Sequence, residues 1–147
     1  MHLVRVVPID YYHVLSLDKA VRDLSVPEVL SPPTVPLRNR SREPVFGDDA
    51  PYIVLMMLRA RVEQEKLIAL LHLHRECFSV HVREQHQPRV QRLFFPSAIA
   101  TFSAACALVK SVRDLYAVEP EMVARISLFW YNAFCGAVMS THILLSV

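Results

Sequence analysis

His74, Cys77 and His81 fall at i, i+3 and i+7, so one helix face would carry all three side chains. Imidazole and thiolate are suitable donors for zinc. A closed zinc site needs a fourth ligand, however, and no second ligand pair stands elsewhere at a metal-binding spacing. The simpler reading is a buried cysteine beside two partly exposed histidines, and no metal is assigned. Nucleophilic chemistry has less to work with. There is no Gly-x-Ser-x-Gly elbow. Cys106 and Cys135 lie inside apolar runs, where cysteine behaves as a small hydrophobe. The carboxylates Asp48 and Asp49, and Glu119 and Glu121, sit at expected helix starts, where the helix dipole already accounts for them. The only glycines are Gly47 and Gly136, which removes glycine-rich phosphate loops and dinucleotide fingerprints. These residues predict a chain that is not an enzyme and carries no cofactor.

The elements that would position these side chains read as helices. Residues 10–24 predict a first helix capped by Asp10, with Tyr11, Val14, Leu17 or Val21, and Leu24 on or near one face. Asp18 and Arg22 are four apart and can pair on its solvent side. Residues 31–51 hold five of the ten prolines, with Arg38, Arg40 and Arg42 as a thin basic cluster, and predict a solvated linker. A nuclear-import signal is the sharper reading of that cluster. Residues 52–86 lack proline and glycine and predict the longest helix, its start signalled by Asp48, Asp49 and Pro51. Arg59 with Glu63 and Arg61 with Glu65 fall at pairing distance along its exposed middle. Leu67, Leu70, Leu71, His74, Phe78 and His81 form a stripe that must face the core.

Residues 87–91 predict a connector, and Pro96 a helix stop with Ser97 as the next N-cap. The helix beyond would bury Ala98, Phe102, Ala105, Cys106, Val109, Val112 and Tyr116. A hinge at Glu119 and Pro120 leads into a final segment free of Asp, Glu, Lys and Arg from Ile126 onward. A nearly all-apolar helix beside an amphipathic one needs a larger helical body to pack into. Phe129, Trp130, Tyr131 and Phe134 are aromatic enough to line a ligand pocket, although core packing is the expected use.

Composition sets the bounds. At 147 residues the chain is one domain's worth, 53% apolar and 20% charged, with room for a real core. A formal charge of +2 is too small to argue for nucleic-acid binding by this segment. Cys77, Cys106 and Cys135 are odd in number and widely spaced, which favours a reducing compartment over a disulfide scaffold. Residues 3–9 are apolar but too short for a signal sequence, and Arg5 and Pro8 interrupt them. Residues 126–147 are long enough to span a membrane, yet Ser127, Asn132, Ser140, Thr141, His142 and Ser146 suit a buried core helix better.

The order and spacing of several short groups resemble the fungal-specific transcription factor domain, the regulatory middle homology region of zinc-cluster transcription factors. These groups are Leu73-His74-Arg75 with Phe78, Pro96-Ser97, Ala104-Ala105-Cys106, Arg113, Phe129-Trp130, Ala133-Phe134 and Ala137-Val138. The resemblance covers about residue 52 onward, with an echo in 11–29. Glu76 stands where the family usually has proline. The resemblance implies an N-terminal helical segment over 1–30, a Pro/Arg-rich linker over 31–51 and a helical regulatory domain from 52 that normally continues past residue 147. It implies that His74 and Arg75 are a structural pair ending a core helix, with Arg75 serving the last carbonyls there. It also implies nuclear action through protein contacts and a small-molecule signal, as a homodimer or with the remainder of the domain. DNA would be reached only through a zinc cluster, which this chain lacks. The expected fold is an all-α bundle of about four helices. The rivals are a two-span membrane protein using 93–109 and 126–147, and a free-standing helical adaptor.

Overall fold

A computed structural model describes residues 10–30, 50–84 and 86–144. These are 90% helical, with no strand among them. The order is α1 (Tyr11–Arg22), a 3-10 turn (Glu28–Leu30), α2 (Ala50–Arg83), α3 (Pro88–Val118), α4 (Pro120–Arg125) and α5 (Ser127–Leu144). The basic cluster at Arg38, Arg40 and Arg42 and the start signal at Asp48 and Asp49 lie outside the described residues.

The long helix α3 is the axis of the bundle. Its sequence is rich in alanine on two sides, and it buries Ala98, Thr101, Ala104, Ala105, Leu108, Val112 and Leu115 between two neighbours. On one side α2 runs antiparallel to it. Met56 and Met57 meet Val112 and Leu115, Leu70 and Leu71 meet Ala104, Ala105 and Leu108, and Phe78 meets Ala98. On the other side α5 runs back along α3, with Phe129 in the first of these clusters and Met139 against the other two. The approach is closest at Gly136. A Cβ there would stand 2.7 Å from the Ala105 carbonyl oxygen and 3.2 Å from Leu108 Cβ. Small residues on both helices permit that distance.

Several sequence expectations need correction. Residues 87–91 are not a connector, because α3 begins at Pro88, where the missing amide is one of the orphan donors of a helix start. Pro96 lies inside α3 rather than ending a helix. Its ring is exposed, and buried Phe94, Ser97 and Ala98 hold the helix together on either side of the lost backbone bond. Ser97 is therefore no N-cap. Its predicted burial partners change as well: Cys106 and Tyr116 face outward, because α3 packs on two helices and turns Thr101, Ala104 and Leu108 inward instead. The apolar run after Pro120 is two helices, not one. Ile126 is extended between them, Val123 is buried, and Trp130 Nε1 donates to the Val123 carbonyl at 3.1 Å. The described residues form five helices, four of them of seven residues or more, which is the all-α bundle of about four helices that the sequence predicts.

The segment 10–30 runs antiparallel down α2. Asp10 caps α1, its side chain accepting from the His13 amide at 3.3 Å. The predicted Asp18–Arg22 pair forms, at 2.8 and 2.9 Å. Leu24 lies outside the helix and is exposed, as is Leu17. Beyond α1, Lys66 Nζ donates to the Leu24 carbonyl at 3.0 Å and Arg59 Nε to the Val29 carbonyl at 2.8 Å. Arg59 thus serves the chain laid over α2, whereas Arg61 pairs with Glu65 as expected. The α2–α3 turn is held by Gln91 Nε2 on the His81 carbonyl and Gln87 Nε2 on Glu84.

Candidate functional site

Three helices meet at His74. Its position on α2, one turn from Leu70 and Leu71 and one from Phe78, puts it on the inward face, and it is 1% exposed. A buried imidazole has two polar atoms to satisfy, and both are satisfied here. Nε2 lies 2.9 Å from Asp18 Oδ1 of α1, and Nδ1 lies 2.9 Å from Ser97 Oγ of α3. The carboxylate is an acceptor, so the proton on this side belongs to Nε2. Ser97 Oγ extends the chain to Tyr11 Oη at 3.3 Å, and the Tyr11 ring meets Phe94 edge-on at 5.1 Å. One turn along α3, Thr101 Oγ1 donates to the Ser97 carbonyl at 2.8 Å.

The electrostatics follow from these contacts. The Arg22 guanidinium, one turn along α1, lowers the Asp18 pKa below the ordinary 3.8, aided by the hydrogen bond from His74 and opposed by partial burial. Cys77 is fully buried beside Ser97. Burial pushes its thiol up, and a hydrogen bond with Ser97 opposes that shift. A raised thiol is a poor nucleophile.

A carboxylate, an imidazole and a serine in one line are the ingredients of acyl-transfer catalysis, but the arrangement works against that use. Ser97 has no exposed surface, and it sits in mid-helix rather than on a turn that would present its oxygen to a substrate. In this conformation no carbonyl substrate reaches it. What the line does is bind α1, α2 and α3 together through groups that would otherwise be buried and unsatisfied.

A second buried set joins α2, α3 and α5. Asn132 Nδ2 donates to Gln64 Oε1 at 2.8 Å, and Gln64 Nε2 donates to Ser111 Oγ at 3.2 Å. Gln64 and Asn132 are both sealed from solvent, and Asn132 Oδ1 is left without a partner.

The residues that carry the family resemblance are distributed unequally. His74, Phe78 and Ser97 come together, and Phe129 is buried at the other end of the bundle. Arg75 is exposed in the middle of α2, eight residues before its end, so it serves no terminal carbonyls. With Glu76 in place of proline, nothing interrupts the helix there. Arg113 is exposed and pairs with its neighbour Asp114 at 2.9 Å. Trp130 lies edge-on to Tyr116 at 5.6 Å, and Tyr131 and Phe134 point outward at 64% and 66% exposure. The aromatic group is therefore not a shared core: α5 packs on α3 through Phe129 and Gly136 and meets Gln64 of α2 through Asn132, while Leu128, Tyr131, Phe134 and Val138 are exposed.

The metal candidates do not assemble. His74 spends both ring nitrogens on Asp18 and Ser97, His81 is half-buried beside Phe95, and no three potential ligands cluster among the described residues. Asp18, Tyr11, Gln64 and Asn132 were missed from sequence. The one available signal was Asp18 at i, i+4 from Arg22, which a surface pair already explained.

No family model, curated protein or solved structure matches the chain.

Proposed function

We propose that the chain is a non-catalytic helical regulatory domain of the kind it resembles in fungal transcription factors, working in the nucleus through protein contacts. The observation that carries this reading is the outer face of α5. Leu128, Tyr131, Phe134 and Val138 form an exposed stripe at helical spacing, with no charged residue on the helix. Exposed aromatics of this kind favour protein contacts. The strongest chemical constellation, by contrast, is consumed in tying helices together. Recognition of DNA would lie in a module outside this chain, since a charge of +2 offers few phosphate contacts.

The membrane reading has one observation in its favour. By length and composition α3 is apolar enough to cross a bilayer, with a mean hydropathy of 1.6 over its most apolar window. Lys110, Arg113 and Asp114 near its end, and the contacts of Ser97 with His74 of α2 and Tyr11 of α1, suit a soluble bundle better.

The test is tethering. The chain is fused to a heterologous DNA-binding module and placed upstream of a reporter in a fungal cell. The expected result is a several-fold change in transcription that Tyr131→Glu with Phe134→Glu abolishes at equal nuclear abundance. An unchanged reporter, with the fusion shown to occupy its promoter, would overturn the proposal.

A further inference from the structure

Helix α1 has no fully buried residue, yet it covers one of the most buried parts of the molecule. Its half-buried positions, Tyr11, Val14, Asp18 and Val21, lie at i, i+3, i+7 and i+10 on one face. Below them are His74 of α2 and Phe94 and Ser97 of α3. The receptor side is built by two long helices that pack on each other along their length, and of α1 only Val21 is laid against one of their clusters. The occupant is a single amphipathic helix held by one carboxylate, one phenol with its ring on Phe94, the apolar contact of Val21, and, just beyond it, the backbone carbonyls of Leu24 and Val29.

We propose that the α2/α3 surface around His74 is a helix-docking groove, and that α1 is its displaceable internal occupant. The partner it fits is an amphipathic helix that presents an aromatic residue and, seven positions later, a carboxylate to His74 Nε2. Charge complementarity supports that choice. The groove offers an imidazole N–H, and the occupant present brings an acid whose other side is held by Arg22. When α1 lifts, His74 Nε2 and the apolar floor around it are opened to water, and re-covering that apolar surface favours recapture of α1 or of a helix with the same chemistry. A groove occupied in this way binds a competing helix only as far as the internal one gives way. This inference concerns the groove alone and does not rest on the transcriptional reading.

The probe is a fluorescein-labelled peptide of residues 8–26, titrated by anisotropy into the full chain. We expect weak binding to the unaltered chain, and binding at least about ten-fold tighter to the Asp18→Ala chain, whose own α1 has lost its anchor. The same peptide carrying Asp18→Ala should bind no tighter to either chain. A variant chain that shows no saturable binding, or binding indifferent to Asp18 in the peptide, would overturn the proposal. A second measurement stands if Asp18→Ala fails to fold. Native-state hydrogen exchange of the unaltered chain should show α1 amides opening with little denaturant dependence, while Leu108 and Val112 open only in global unfolding. Exchange of α1 solely through global unfolding would equally overturn it.

Discussion

His74 Nε2 and Asp18 Oδ1 stand 2.9 Å apart although they are separated by 56 positions in the chain, and their contact ties α1 to the buried face of α2. Asp18 is held below its ordinary 3.8 first by Arg22 on its own helix and then by His74 from α2, against partial burial; the neutral Ser97 hydroxyl of α3 meets the other nitrogen of His74. The sign follows by linkage. A depressed carboxylate contributes stability that is full above the unfolded value and lost as pH falls through the folded one. The stability difference between the unaltered chain and Asp18→Asn should therefore be retained down to about pH 3.8 and shrink below it. Urea titrations at several pH values, followed by the single tryptophan Trp130, measure this directly. A difference that grows as acid is added would contradict it.

Gly136 is a steric requirement. A methyl group at this position meets the Ala105 carbonyl oxygen at 2.7 Å, a backbone atom with no freedom to swing away. Gly136→Ala should lower stability by about 1–3 kcal/mol, against the gain its helix propensity would otherwise give. Thermal unfolding by circular dichroism reads the outcome, and a raised midpoint would show that α3 and α5 are less closely packed.

The Gln64–Asn132 pair should behave asymmetrically. Replacing Asn132 with Leu leaves Gln64 Oε1 buried without its donor and should cost about 1–3 kcal/mol. Replacing Gln64 with Leu as well removes the orphan and should return much of that loss. Urea midpoints of the two single variants and the double variant decide it. Additive losses would mean that the two amides act separately.

The outward stripe of α5 is expected to act in association. Tyr131→Glu with Phe134→Glu should reduce concentration-dependent light scattering while leaving the unfolding free energy within about 0.5 kcal/mol, the usual effect of surface changes. A large loss of stability would show that these two rings are part of the core.

Much of the bundle was legible because helical periodicity reports burial wherever one helix packs on one neighbour. The stripe from Leu70 through His74 to Phe78 was read correctly for that reason, since α2 packs chiefly on α3. The same rule failed on α3, which is covered on two sides, so Thr101 and Leu108 are buried and Cys106 is not. Pro96 and Ser97 together spell a helix start in any local reading. Only the long-range contacts of Ser97 with His74 and Tyr11 show why the helix runs through them. The His74 cluster was half visible. His74 and Cys77 stood out by residue type, whereas Asp18 looked like a solvent-side partner of Arg22 until α1 was seen lying on α2.

The claim on which this account depends is that His74 and Asp18 form a structural lock between helices. A double-mutant cycle with Asp18→Asn and His74→Gln, measured by urea unfolding at neutral pH, tests it most directly. The lock predicts a coupling free energy of about 1.5–3 kcal/mol, the range for a hydrogen bond to a charged group. Two substitutions whose effects add to within about 0.5 kcal/mol, the behaviour of independent sites, would show that α1 is not held through this contact.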